Sequence, residues 1–98
     1  NRPATTVAPQ ALMFMNNPQV RLYAEGLAKK IESNDLAAAV RNGFRAVLGR
    51  EPMVDEVSDN VRFLKEQTAS YTGGNARQLA LADFSQVLMS LNEFVYVQ

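Results

Sequence analysis

The side chains with reactive potential lie between positions 50 and 59. Arg50 and Glu51 stand in the stretch VLGREP, Val47 to Pro52. An arginine there can fork onto a carboxylate or a phosphate, and a following helix offers free amide donors at its start. Asp55, Glu56 and Asp59 fall at spacings that put two or three of them on one helical face, the form of a general acid/base pair or a cation site. TGGN, Thr72 to Asn75, has the glycines of a phosphate-cradling loop but lacks the lysine and the preceding strand that such a loop needs.

Each feature also has a plain structural reading. A charged pair at a helix–helix corner caps carbonyls or pairs locally. The three acids form a solvated first turn favoured by the positive end of a helix, and TGGN is a linker between helices. The rest of the composition favours these readings. The chain has neither cysteine nor histidine, which removes thiolate nucleophiles, disulfides, the serine–histidine relay and imidazole or thiolate metal ligands. Ten basic side chains balance ten acidic ones, so no long-range field gathers nucleic acid or an anionic membrane. Apolar runs such as Ala11 to Met15 are far below the ~20 residues of a spanning helix.

The elements that must position these residues are helical. At 98 residues the chain fits one domain with a thin core. Residues 1–8 read as an extended arm bounded by Pro3 and Pro9. A short helix is expected from Pro9 to about Met15, before Asn16-Asn17-Pro18 interrupts. Asn17 then caps a helix with Pro18 in its first turn and an apolar face of Val20, Tyr23, Ala24, Leu27, Ala28 and Ile31. Asp35 opens a second stripe of Leu36, Val40, Phe44, Val47 and Leu48, ending at Gly49 as a left-handed cap. Pro52 stops that helix, and Val54, Val57, Val61, Phe63 and Leu64 carry a third to about Tyr71. After TGGN, Asn75 caps a last helix with Leu79, Leu81, Phe84, Val87, Leu88 and Leu91 on its apolar face. The tail EFVYVQ is expected to be extended, being short and β-branched.

Two expectations concern packing. Arg50 is expected to hold the second main helix to its neighbours through a long-range pair with Glu93 or Asp83, leaving Glu51 at the same corner. Leu12, Met13, Phe14 and Met15 are adjacent in sequence, and helical neighbours are turned ~100° apart, so one short helix cannot bury all four on a single face. That segment is expected to lie partly at an interface with chain upstream, and in isolation to expose an apolar patch or bury it in a homodimer.

Three separated stretches also carry a family resemblance: TTVAPQALMFMNNPQV, FRAVLGREP and ALADFSQVLMSLNEFVYV, in that order from Thr5 to Val97. They resemble the closing segment of the family catalogued as domain of unknown function 1553. The resemblance implies the C-terminal end of large planctomycete-type bacterial proteins, often with a cytochrome c-like domain upstream, in an extracytoplasmic (periplasmic or secreted) setting. It supplies no catalytic residue, so Gly49, Arg50, Glu51, Pro52, Asn92, Glu93 and Phe94 stand as motif positions only. The family's middle motif continues with a threonine-proline helix start, whereas this chain has Met53-Val54, which weakens the cap there and leaves Asp55 as the alternative. A weaker similarity, of FRAVLGREP and LMSLNEF, connects to helical modules of phycobilisome-linker type that act as spacers and docking units.

The expected fold is therefore an all-α bundle of four main helices with a short N-terminal helix, in one domain over residues 1–98. The expected role is a non-catalytic structural or interaction module, with the upstream domains of the same polypeptide as partners and no cofactor, metal, nucleic acid or membrane insertion. The rival reading is a fragment of an enzyme whose active site an upstream domain completes. The direction of the polar motif side chains, into the bundle or onto an open cleft, separates the two.

Overall fold

In the computed structural model, residues 17–97 have a described backbone and residues 17–91 described side chains. The expected extended arm and short helix before Asn17 lie outside the described residues. Four helices follow in order: α1 (Pro18–Ile31), α2 (Leu36–Gly43, running on as a π-helical turn over Phe44–Leu48), α3 (Val54–Ser70) and α4 (Ala76–Val97). No strand occurs among the described residues, and the all-α bundle is the fold.

The helix starts follow from the residues predicted for them. Asn17 Oδ1 accepts from the amides of Gln19 at 2.8 Å and Val20 at 3.4 Å, and Pro18, with no amide proton to satisfy, takes the first turn. Asp35 Oδ1 accepts from Ala37 N at 3.3 Å. The Asn75 carbonyl accepts from Leu79 N at 3.0 Å, after a turn in which Gly73 has φ +105°. The α3 start differs from expectation. Met53, not Asp55, occupies the cap position, and Glu56 reaches back to accept from Met53 N at 2.8 Å. A carboxylate at the third helical position thus satisfies the cap residue's own amide, the reciprocal half of a capping box.

α4 is the central element, packing most extensively on α1 and α3 and also on the π turn of α2. Over Ala80–Leu88 it is buried on every side. A single stripe does not account for that, since Ala80, Ala82 and Ser85 are as enclosed as Leu81, Phe84 and Leu88. Small residues on the second face let neighbouring helices close over it. Gly43 serves the same close approach from α2: a Cβ there would lie 2.7 Å from Phe84 Cε2 and 2.9 Å from Leu88 Cδ1. Ala28, Ile31, Val40, Phe44, Leu64, Phe84 and Leu88 belong to one core cluster.

Three expectations are corrected. Tyr23, placed on the buried face of α1, is 62% exposed, as is Leu22; Val20, Ala24, Ala28 and Ile31 fill the face toward the core, and Tyr23 falls outside that arc. Val54, placed in the third apolar stripe, is 88% exposed, because it opens α3 at the bundle's edge. The closing residues, expected to be extended, continue α4 to Val97. Lengthening an existing helix fixes one residue per hydrogen bond, with no new nucleus to form.

Candidate functional site

Two polar clusters stand out, one formed by the middle motif and one in the interior. The first begins with Phe44, fully buried against the core. From there the helix widens: Gly49 N–H donates to the Phe44 carbonyl, five residues back, at 3.0 Å, and Gly49 closes the turn at φ +70°. Only glycine adopts that left-handed conformation without a steric penalty. The reversal sends Arg50 back over the Phe44 ring, guanidinium carbon 5.3 Å from its centroid, within cation–π range.

There Arg50 Nη1 and Nη2 donate to Glu56 Oε1 and Oε2, each at 2.9 Å, and Nη1 also donates to the Glu51 carbonyl at 3.1 Å. Glu56 is only 4% exposed, whereas the Arg50 side chain is 48% exposed. A two-pronged charge-assisted pair of this kind is the strongest form that an arginine–carboxylate contact takes. The hydrogen bond to Glu56 raises the Arg50 pKa above its ordinary value, against a smaller opposing effect of burial. Glu51, the other half of the motif pair, turns outward to accept from Arg45 Nε, and Pro52 follows as the break before α3.

These contacts correct the expected pairing of Arg50 with Asp83. Arg50 does not reach Asp83; its carboxylate partner lies six residues on, across the corner. Glu93 and its neighbours Asn92 and Phe94 fall within α4, but their side chains lie outside the described residues. The three acids do not act as a set either. Glu56 is buried rather than solvated, Asp59 pairs with Arg62 at 2.7 Å, and Asp55 is exposed. Among the described residues no three acidic, histidine or cysteine side chains are grouped to hold a metal ion, and no helix is long and apolar enough to cross a membrane.

The second cluster centres on Asp83, in the buried stretch of α4. Its Oδ1 accepts from Arg21 Nη1 of α1 at 2.8 Å. Its Oδ2 accepts from Gln67 Nε2 of α3 and from the hydroxyl of Tyr71, each at 2.8 Å. Arg21 Nη1 also donates to Gln86 Oε1 at 2.8 Å, and Arg21 Nε lies 3.6 Å from Glu25. One carboxylate thus joins α1, the end of α3 and α4. Partial burial works against the charge of Arg21, but the hydrogen bond and charge of Asp83 outweigh it and the pKa is raised. Burial, reinforced by the hydrogen bond to Asp83, pushes the Tyr71 hydroxyl up as well. Burying Asp83 with three donors avoids the penalty that an unpaired interior carboxylate would carry.

Sequence reasoning singled out Asp83 only as a partner for Arg50 and missed this network. The available signal was its position: LALADFSQVL is an apolar stretch in which one acid stands alone, and such an acid is buried only where donors converge on it. Smaller polar ties complete the frame. Arg77 donates to the carbonyls of Ser33 and Asn34, and Asn42 Nδ2 to the Ile31 carbonyl at 3.0 Å, so the α1–α2 corner is held by side chains from α2 and α4.

Comparison with curated proteins finds no match, and comparison with solved structures finds none. Residues 1–64 match the family described as protein of unknown function (DUF1553). The match takes in the first stretch and the FRAVLGREP corner with its Arg50–Glu56 clasp, and ends before Asp83. With well over half of its length matched, the chain belongs to the DUF1553 family of proteins of unknown function.

Proposed function

We propose that this chain is a non-catalytic structural or protein-interaction module at the C-terminal end of a larger secreted or periplasmic bacterial protein. The observation that carries the reading is the inward use of the polar motif. Arg50 and Glu56 satisfy one another, and both oxygens of Asp83 accept from residues of the bundle. Carboxylates held by several donors are suited to fixing helices in place, and they are poorly placed to exchange protons with a substrate. The setting and the upstream partner domains rest on the family resemblance alone.

The test is a calorimetric titration of the chain with the upstream polypeptide of its parent protein, expressed separately. Saturable one-to-one binding is expected, and Arg50→Ala or Asp83→Asn should weaken it only to the extent that they unfold the chain. Absence of binding would overturn the reading. So would an activity of the reassembled protein that disappears in a folded Arg50 variant, the outcome expected if the chain completes an active site.

A further inference from the structure

Asn42 and Gly43, the last two residues of α2 before its π turn, are each fixed by a different neighbour. Asn42 Nδ2 donates to the Ile31 carbonyl at 3.0 Å, one of the final carbonyls of α1 that has no partner within its own helix. Gly43 is fixed by packing, since an added Cβ would meet Phe84 and Leu88 at under 3 Å. Neither residue type favours a helix, and asparagine followed by glycine is a turn sequence where tertiary contacts do not override it. It is also the dipeptide in which the following backbone nitrogen attacks the side-chain amide most readily, because glycine puts no side chain in the path.

We infer that Asn42-Gly43 is a latent deamidation site, which the folded chain holds closed and opening of the α1–α2 corner releases. In the reaction the Gly43 nitrogen bonds to Asn42 Cγ, its proton passes through solvent to Nδ2, and the Cγ–Nδ2 bond breaks. Ammonia leaves and a five-membered succinimide remains. Water then cleaves one of the two ring C–N bonds, giving aspartate or, with the backbone lengthened by a methylene, isoaspartate. Water is the only co-reactant, and nothing is oxidised or reduced. In the fold, ring closure is opposed at both ends. The Asn42 side chain is held toward α1, and Gly43, at φ −64° and ψ −44°, keeps its nitrogen in the helical ladder. An eight-residue helix does not persist once its packing is gone, so opening frees both ends together. The ionised product cannot restore the tie, because a carboxylate has no proton to donate to the Ile31 carbonyl. The corner therefore recloses intact only while Asn42 is unreacted.

Peptide mapping by mass spectrometry on the full chain, incubated at mildly alkaline pH in buffer and in urea, tests this. In urea the Asn42 amide should convert to acid about tenfold or more faster than in buffer. It should also convert faster there than Asn34, which precedes Asp35. Gly43→Ala should slow the reaction in urea, where packing plays no part, and Asn42→Gln, whose ring would be one atom larger, should suppress it. Chain reacted in urea and returned to buffer should refold with a lower urea midpoint than unreacted chain, whereas Asn42→Gln should regain its own midpoint after the same cycle. Equal rates in buffer and urea would overturn the shielding. A rate in urea no higher than that of Asn34 would overturn the site, and reacted chain that regains the parent midpoint would overturn its effect on the corner.

Discussion

Arg21 and Asp83, 62 positions apart in sequence, meet with Nη1 and Oδ1 2.8 Å apart, joining the first helix to the middle of the last. The contact is sheltered on the carboxylate side, where Asp83 is 8% exposed. Its geometry depends on two further donors, from Gln67 and Tyr71, that reach the other oxygen. Replacing Asp83 by alanine removes the acceptor of Gln67 and Tyr71 and leaves Arg21 with Gln86 and Glu25. The expected loss is about 2–4 kcal/mol of unfolding free energy, read from urea denaturation. Asp83→Asn should fall between the variant and the parent, because the amide keeps one acceptor oxygen but gives up the charge facing Arg21.

Tyr71 makes the same cluster sensitive to alkali. Its pKa is raised in the folded chain by burial and by the hydrogen bond to Asp83, so the folded state favours the protonated hydroxyl. The stability this contributes is complete below the unfolded value of about 10 and is lost as pH rises through the higher folded value. Thermal midpoints should therefore fall above pH 10, and Tyr71→Phe should flatten that fall. At neutral pH the same variant should cost about 1 kcal/mol for the lost hydrogen bond.

Gly49 in the middle motif and Gly43 just before it are required for different reasons, and alanine substitution separates them. At Gly49 the φ of +70° is the difficulty, and Gly49→Ala should cost about 1–2 kcal/mol with no change in packing. At Gly43 the backbone is ordinary α-helix, but the new Cβ meets Phe84 and Leu88. That overpacking should cost about 1–3 kcal/mol. Gly43→Ala should also shift the Phe84 ring resonances, which Gly49→Ala leaves in place.

Helical period, caps and breaks made most of the fold readable from sequence, since Asn17, Asp35, Gly49 and the TGGN loop act through their own backbone neighbourhoods. What depended on three dimensions was harder to read. Arg50 was matched to distant acids because Glu56, six residues away, is no helical neighbour; the αL turn at Gly49 brings the two together. The enclosure of α4 was read as one stripe, because alanine and serine are compatible with either solvent or a tight helix contact. Asp83 is one of two acids that the sequence offers Arg50, whereas its convergent donors come from two other segments, α1 and the end of α3.

The central claim is that the FRAVLGREP corner is a structural clasp, and a double-mutant cycle on Arg50 and Glu56 tests it most directly. Arg50→Met and Glu56→Leu are made singly and together, and unfolding free energies are measured in urea. The clasp predicts that Arg50→Met alone costs about 1–3 kcal/mol, because a buried carboxylate loses both guanidinium donors. It also predicts a favourable coupling of about 1–3 kcal/mol between the two positions. A coupling within ~0.3 kcal/mol of zero, with all variants folded, would contradict the clasp and free Arg50 for a ligand.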